Sequence, residues 1–156
     1  MNRGMGSLES VKEFLKASVA DCEVREFDSS TKNSALAASV LGCTVGEIAK
    51  SIVFKGEGFF VVVLSGDRRV DASKLASAAG GSVRVASPEE VREGTGYPIG
   101  GVPPFPHRKG VTVFVDSSLM RFPHVWAAAG VPSAVFRISS ADVVKLIGRS
   151  PCDLSS

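Results

Sequence analysis

Two stretches of this 156-residue sequence carry residue types that could do chemistry. The first is Lys50, which leads into the apolar residues Ile52, Val53 and Phe54. A lysine at the start of a buried strand can be held near a pocket, where its ammonium would bind an anionic or carbonyl oxygen. Such a lysine can also cover apolar surface with its stem while the ammonium stays in water. Position alone favours this second interpretation, and both stay open.

The second stretch is a loop rich in glycine and proline, predicted over Gly94–Gly110. Glycine lets a backbone approach a ligand closely, and proline stiffens the chain. Exposed amide N–H groups in such a loop can hold a ribose hydroxyl or a developing oxyanion. An ordinary surface connection can have the same composition. Structureless loops longer than about 12–15 residues are nevertheless usually functional or disordered.

Other chemistries fit the sequence poorly. There are only two histidines, His107 and His124, and no H-x-x-x-H or C-x-x-C motif, so no metal site is predicted. Neither a G-x-S-x-G elbow nor a Walker loop is present, and no cofactor is expected. The three cysteines, Cys22, Cys43 and Cys152, are an odd number without metal-binding spacing, which favours a reducing, cytoplasmic compartment.

Charge and hydropathy set wider limits. The net charge of +2 neither predicts nor excludes nucleic-acid binding, because a local basic patch suffices. No run approaches the roughly 18 apolar residues of a membrane span, so no membrane partner is expected. The length is that of a single domain, 1–156, in which residues 1–6 and about 149–156 are expected to be flexible tails.

The elements that must position Lys50 and the loop can be read from caps, spacing and turns. Helices are predicted from Ser7, over Asn33–Leu41, from Thr44 to Ala49, after Asp71, after Ser87 and after Ser140. Strands are predicted at Cys22–Phe27, Lys50–Phe54, Phe59–Leu64, Ser82–Ala86, Val111–Val115, Val125–Ala129 and Ala134–Ile138. Helices and strands do not alternate regularly. The pattern predicts an α+β domain with a mixed, strongly curved sheet of about seven strands and several packed helices.

Short motifs also follow one another in a specific order from about Thr31 to Val144. They are Leu41-Gly42, Glu47-Ile48-Ala49-Lys50-Ser51-Ile52-Val53, Ser65-Gly66-Asp67, Asp71 with Lys74-Leu75, the run from Thr95 to Phe105, Val115-Asp116, Ala129-Gly130 and Ala141-Asp142-Val143. Each motif is weak alone. The ordered set resembles the YbaK family, also described as the prolyl-tRNA-synthetase-associated editing domain.

The resemblance implies a free-standing, metal-independent aminoacyl-tRNA deacylase that hydrolyses misacylated tRNA, such as alanyl- or cysteinyl-tRNA for proline. It implies a curved sheet around a pocket, with the CCA end of aminoacyl-tRNA as ligand and an aminoacyl-tRNA synthetase as a candidate partner. The family lysine matches Lys50, and the family G-x-x-x-P loop matches Gly100–Pro104. The implied catalytic residues are Lys50, Gly100 and Gly101. The implied substrate-binding residues are Ser51, Tyr97, Val102, Pro103, Pro104 and Phe105.

The histidines are assigned from their positions. His107 directly follows the loop and is expected at the pocket mouth, whereas His124 precedes a strand and is expected to be structural.

Two departures from the family pattern leave the amino acid open. Cysteinyl-tRNA-type members carry an acidic residue where this chain has Val135. They usually have Thr after the lysine, and alanine-specific members often have Asn there, whereas this chain has Ser51. Two other functions also stay open: a non-catalytic module that binds tRNA or a synthetase, and an esterase or amidase that acts on a small molecule.

Overall fold

A computed structural model describes residues 6–19, 22–28 and 33–156 of the chain. Its helices are α1 (Leu8–Ser18), α2 (Ser34–Leu41), α3 (Ala72–Ala79), α4 (Pro88–Thr95) and α5 (Ser140–Ile147). Its strands are β1 (Glu23–Glu26), β2 (Ile48–Lys55), β3 (Phe59–Ser65), β4 (Arg84–Val85), β5 (Val111–Val115), β6 (His124–Ala128) and β7 (Ala134–Ser139). Two 3₁₀ turns, Val45–Glu47 and Ser117–Arg121, complete the described elements.

The seven strands form one mixed sheet, which confirms the predicted α+β class. The strand order is β1-β7-β6-β2-β3-β5, and β4 pairs with β2 outside this path. Strand β2 runs parallel to β6, and β3 runs parallel to β5, while the other pairs are antiparallel. Strand β2 therefore lies at the centre of the sheet and has three partners.

Strand β3 is buried on both faces of the sheet. Val61 and Val63 belong to a core cluster with Val115, whereas Val62 and Leu64 belong to a cluster on the other side. Because successive side chains of a strand point to opposite faces, a strand covered on both sides needs apolar residues at every position. This explains the unbroken apolar run that predicted β3.

The first of these clusters is the larger. It is covered by α1 and α5, which contribute Val11 and Val143, and it also contains Tyr97 and Phe105 from the glycine- and proline-rich loop. The loop is therefore partly a core element, which its composition did not predict.

Some element boundaries differ from the prediction. The helix predicted over Thr44–Ala49 is only the 3₁₀ turn Val45–Glu47, held by the Thr44–Glu47 capping box. Strand β2 begins immediately after this turn, so Lys50 is the third residue of the strand rather than its first. Helix α4 continues to Thr95 and ends at Gly96, so the loop begins at Tyr97.

Among the C-terminal residues 149–156, Leu154 and Ser155 are buried, which corrects the expectation of a flexible tail. The backbone N–H of Leu154 donates to the Asp116 carboxylate at 2.7 Å, and the Ser155 hydroxyl donates to it at 2.9 Å. Asp116 is fully buried, and a buried carboxylate needs such donors. The predicted N-terminal tail falls on residues that lie, except for Gly6, outside the described part of the chain. Within the described part, no helix is both long and apolar enough to cross a membrane.

Candidate functional site

A cavity of about 510 Å³ opens where the sheet splits along one edge of β2. Strand β6 pairs with β2 only at Ile48 and Ala49, and β4 pairs with the far end of β2 at Phe54 and Lys55. Between these two ladders, no strand in the described part of the chain pairs with this edge of β2. The cavity is lined by Asn33, Ser34, Ala35, Ala37, Val45, Ile48, Ala49, Lys50, Ser51, Ile52, Gly66, Ile99, Gly100, Val102, Trp126, Ala127, Ala128, Pro132, Ala134 and Val135.

Lys50 lies on the cavity wall and is half-buried. Its Nζ donates a hydrogen bond to the carbonyl oxygen of Gly66 at 3.3 Å. Burial and the nearby Arg69 lower the pKa of Lys50 below its ordinary value, while Asp67 opposes the shift. Among the described residues no carboxylate is ion-paired with Lys50 within 4.0 Å. The ammonium is therefore partly desolvated and can bind a further oxygen.

Ser51 presents polar atoms at the open edge of β2. The carbonyl oxygen of Val53 accepts from Ala86, so the backbone groups of Ala49, Ser51 and Val53 face this edge by strand alternation. The pairing with β6 ends at Ala49, two residues before Ser51. The Ser51 hydroxyl oxygen is buried and has no hydrogen-bond partner in the described part of the chain. A buried hydroxyl without a partner is costly unless a ligand or water supplies one.

Gly100 brings the predicted loop to the cavity. It has φ +83° and occupies the third position of a turn closed by a 2.9 Å hydrogen bond from the Gly101 N–H to the Pro98 carbonyl. A positive φ at this position is typical of a type II turn and favours glycine. Gly100 and Val102 both line the cavity.

Gly101 does not reach the cavity, because its amide is used within the turn. A Cβ at this position would lie 2.8 Å from Cα of Val131, so the residue packs directly against the backbone that joins β6 and β7. The structure thus separates the two glycines that were predicted to act together: Gly100 faces the cavity and Gly101 packs behind it.

The rest of the loop turns into the core instead of toward the cavity. Tyr97 is fully buried, and its hydroxyl donates to the Pro106 carbonyl at 2.9 Å. The Phe105 ring lies 5.2 Å from that of Phe14 and 5.9 Å from that of Phe136. The structure does not bring Tyr97 or Phe105 to Lys50, because aromatic rings of this size are needed to fill the core.

Three further predicted site residues, Pro103, Pro104 and His107, also lie outside the cavity that holds Lys50. Pro103 and Pro104 are buried. Nε2 of His107 donates to the Pro103 carbonyl at 2.7 Å, and the imidazole packs edge-on against Tyr97. Burial lowers the pKa of His107 below its ordinary value. His107 lines a separate depression of about 580 Å³ with Pro104 and Phe105.

Several lining residues were missed by the sequence analysis. Asn33 and Ser34 come from the start of α2, and Trp126 comes from β6. Gly66 is packed so tightly that it leaves no room for a side chain: a Cβ there would lie 2.6 Å from the Val45 carbonyl oxygen and 2.7 Å from Cβ of Ser34. The Ser65-Gly66-Asp67 motif marked Gly66, but no pattern in α2 indicates that this helix closes a cavity.

The arrangement favours binding of a carbonyl or phosphate oxygen. Within the described residues, no group of three His, Cys, Asp or Glu side chains could hold a metal ion. The cavity instead combines one partly desolvated cation, an open strand edge and a positive-φ turn. Such groups can bind a carbonyl or phosphate oxygen and stabilise charge that develops during attack by water.

Known proteins are similar to this chain in sequence and in fold. A sequence model described as the aminoacyl-tRNA editing domain matches residues 28–146. The chain is 34% identical over 139 residues to the uncharacterized protein YwhH of Bacillus subtilis (strain 168), covering 88% of each. It is 32% identical over 114 residues to the multifunctional Ser/Thr-tRNA deacylase ProXp-y of Escherichia coli (strain K12), covering 69% of this chain and 68% of that protein.

A solved structure extends the similarity to the whole chain. It is that of a protein proposed as a trans-editing enzyme for prolyl tRNA synthetase, and it superposes with a TM-score of 0.88 at 37% identity. The match covers 100% of this chain and 99% of that one.

Proposed function

Because the chain belongs to the aminoacyl-tRNA editing domain family, we propose that it acts in trans as a deacylase that hydrolyses the ester of tRNA charged with a small, wrong amino acid. The observation that carries the proposal is that Lys50 and Ser51 line the same cavity, and that the buried Ser51 hydroxyl has no hydrogen-bond partner among the described residues. A cavity of about 510 Å³ lies within the usual range for small-ligand sites. It can hold an aminoacyl group and part of the terminal ribose.

The chemistry asks little of the protein. An aminoacyl ester is already activated, so positioned water can add to the carbonyl carbon when the carbonyl oxygen is stabilised. The bond to the ribose oxygen then breaks, the ribose hydroxyl recovers a proton, and the free amino acid leaves. One donor to the developing oxyanion is worth roughly 10²–10³ in rate. Lys50 supplies such a donor, or holds the terminal phosphate so that the ester lies correctly.

The cavity wall supports a small amino acid. Ala37, Ala127 and Ala134 leave room beside the apolar surfaces of Trp126 and Val135. The Ser51 hydroxyl gives this wall a polar point that a seryl or threonyl hydroxyl could satisfy. We therefore propose seryl-, threonyl- and alanyl-tRNA as substrates ahead of cysteinyl-tRNA.

Val135 supports the same order of substrates. It is buried on β7 and lines the cavity. The resemblance places an acidic residue here in cysteinyl-tRNA-type members, and a valine offers no charge at that point. The wall beside Trp126 is therefore apolar in this chain.

The relatives support a choice of tRNA and of partner to test. The structural relative proposed as a trans-editing enzyme for prolyl tRNA synthetase supports tRNA for proline as the first acceptor to test. A synthetase that releases misacylated tRNA is then the source of substrate and a candidate partner. An enzyme that acts on this pool works in the cytoplasm.

A panel of misacylated tRNAs tests the function. Release of labelled amino acid is measured from proline tRNA charged with Ser, Thr, Ala, Cys or Pro. We expect faster hydrolysis than in buffer for at least one small amino acid and sparing of the prolyl ester. If no charged tRNA is cleaved above the buffer rate, the proposed function is wrong. Cleavage of simple amino-acid esters at the same rate would instead indicate a small-molecule esterase.

Lys50→Ala serves as the active-site variant. We expect a loss of roughly 10²–10³ in rate, equal to one oxyanion donor, with an unchanged fold. Lys50→Arg should keep part of the activity, because a guanidinium still carries charge and donors. Lys145→Ala is the matched control, since Lys145 is an exposed lysine of α5 that does not line the cavity. Near wild-type turnover by Lys50→Ala would remove Lys50 from the site.

A further inference from the structure

The position of the Lys50 ammonium depends on the turn that follows β3. Its hydrogen bond at 3.3 Å goes to the backbone carbonyl of Gly66. The backbone of Gly66 is also fixed to the first residue of β2, because its N–H donates to the Ile48 carbonyl at 2.7 Å. The turn closes with a hydrogen bond from the Arg68 N–H to the Ser65 carbonyl at 3.0 Å. A shift of this turn would move the carbonyl that Lys50 contacts.

An ion pair holds the outer side of the turn. Arg121 binds both carboxylate oxygens of Asp67, with Nη2 to Oδ1 at 2.7 Å and Nη1 to Oδ2 at 3.2 Å. Nε of Arg121 donates to the Ser118 carbonyl at 2.8 Å, so all three guanidinium nitrogens are used. A guanidinium that binds through its full planar fork fixes direction as well as distance.

The surroundings make this geometry rigid. The Arg121 guanidinium lies over the Phe122 ring at 4.9 Å from its centroid. The edge of the same ring is so close to Gly46 that a Cβ there would lie 2.6 Å from it. The Ser118 hydroxyl accepts from the N–H of Ser65 at 3.3 Å, which ties the 3₁₀ turn to the end of β3.

We infer that the Asp67–Arg121 ion pair positions the Lys50 ammonium by fixing the Gly66 carbonyl to which it donates. Both residues are positioning residues, because they act through Gly66 and do not line the cavity. The inference rests on the proposed function only in that Lys50 contacts the substrate.

The exposure of the pair separates this role from a stabilising one. The side chains of Arg121 and Asp67 are 36% and 40% exposed. Exposed ion pairs contribute little to folding stability. Removal of the pair should therefore lower Tm by less than about 4 °C, whereas a displacement of the ester approaching 1 Å can cost on the order of 10² in rate.

The pKa of Lys50 gives a second readout of the positioning role. Two charged side chains act on Lys50: Asp67 raises its pKa, while Arg69 and burial lower it. Neutralising Asp67 should therefore lower the pKa of Lys50 further. That shift reports the charge of Asp67 itself. Arg121 is not among the charges that shift the pKa of Lys50, so a changed Lys50 titration in Arg121→Ala would instead report movement of the Gly66 carbonyl.

The experiment compares Arg121→Ala, Arg121→Lys and Asp67→Asn with the full-length wild type. The matched control is Arg84→Ala, which removes another bidentate pair, with Glu90 at 2.8 and 2.7 Å, away from the cavity. Three quantities are measured: Tm, kcat and KM on the best substrate of the panel, and the pH titration of the Lys50 ¹³Cε NMR signal, assigned with Lys50→Arg.

We expect Arg121→Ala to lower kcat about 10-fold with KM changed less than about 3-fold, and Arg121→Lys to fall between it and the wild type. Asp67→Asn should shift the Lys50 titration to lower pH through the lost charge. Arg121→Ala should also shift it to lower pH, because the ammonium loses its hydrogen bond to the Gly66 carbonyl. Arg84→Ala should change neither kcat nor the titration.

Two results would overturn the inference. One is a wild-type Lys50 titration in Arg121→Ala, and the other is a loss of activity that only follows the loss of folded protein. If the wild type cleaves no charged tRNA, the proposed function fails, but the Lys50 titration still decides the positioning role.

Discussion

Gly100 and Gly101 are adjacent in sequence but should respond to alanine for different reasons. A Cβ on Gly101 would lie 2.8–2.9 Å from three backbone atoms of Val131, whereas ordinary contact begins at 3.4 Å. The turn must therefore move by about 0.6 Å, because backbone cannot rotate away. Overpacking of this kind costs about 1–3 kcal/mol, which corresponds to a fall in Tm of roughly 3–10 °C for a chain of this size.

The same displacement should reduce activity. A misplacement of about 1 Å can cost on the order of 10² in rate, so a shift of about 0.6 Å should lower kcat/KM about 10-fold. The assay measures Tm and kcat/KM on one sample of Gly101→Ala, with the rate expressed per folded molecule. Wild-type Tm would refute the packing argument. A lower Tm with full activity per folded molecule would show that the turn does not position substrate.

Gly100→Ala isolates the cavity wall from the packing. Its added Cβ meets only Pro132 at 3.7 Å, but its φ of +83° costs about 1 kcal/mol for alanine. Gly148→Ala is the matched control, because Gly148 has φ +79° at the end of α5 and open space around it. We expect similar losses of stability in the two variants and a loss of activity only in Gly100→Ala. Equal activities would remove Gly100 from the site.

Three other variants test the remaining assignments. In the wild type, kcat/KM should fall at high pH with a midpoint below the ordinary lysine pKa, because burial and Arg69 lower the pKa of Lys50 by more than Asp67 raises it. Lys50→Arg should remove this limb from the pH–rate profile. Ser51→Ala should leave Tm unchanged or raised, since it removes a buried hydroxyl without a described partner; kcat/KM should fall by up to about 10-fold, and an unchanged kcat/KM would contradict the role of Ser51. Asp116→Asn should cost about 1–3 kcal/mol of unfolding free energy at neutral pH. Burial raises the pKa of Asp116, but hydrogen bonds from Ser118, Leu154 and Ser155 outweigh it and leave the pKa below its ordinary value. The resulting stabilisation is present above the unfolded pKa of about 3.9 and is lost as pH falls through the folded pKa. The unfolding free energies of wild type and variant, measured by denaturant titration, should therefore converge in acid.

The elements of this fold were largely predictable because local signals fix them. Capping boxes at Thr44 and Ser87 form as predicted. All seven strands were expected, and the continuous apolar run Phe59–Leu64 lies in a strand buried on both faces. Such signals depend on hydrogen bonds and packing within a few residues, which a sequence displays directly.

The directions in which the loop residues point could not be predicted from local sequence. Its glycines and prolines indicate a special backbone, but composition does not say which residues face solvent, core or ligand. Tyr97 and Phe105 turn inward because the space between α1 and the sheet must be filled. Gly100 faces the cavity because Gly101 closes the turn and packs against Val131. These directions are set by tertiary packing, which the one-dimensional pattern does not contain.

The open edge of β2 beside Ser51 is likewise set by tertiary packing. Strand β6 ends at Ala128, because the chain turns there into β7 through Gly130. Gly130 has φ +97°, and a Cβ on it would lie 2.7 Å from the Ser7 carbonyl at the start of α1, so this turn cannot slide along β2. The ladder between β2 and β6 therefore stops at Ala49, and the backbone of Ser51 is left facing the cavity. A tight contact between a hairpin turn and a helix thus creates the open strand edge where we propose that the ester binds, although none of the residues in that contact lines the cavity.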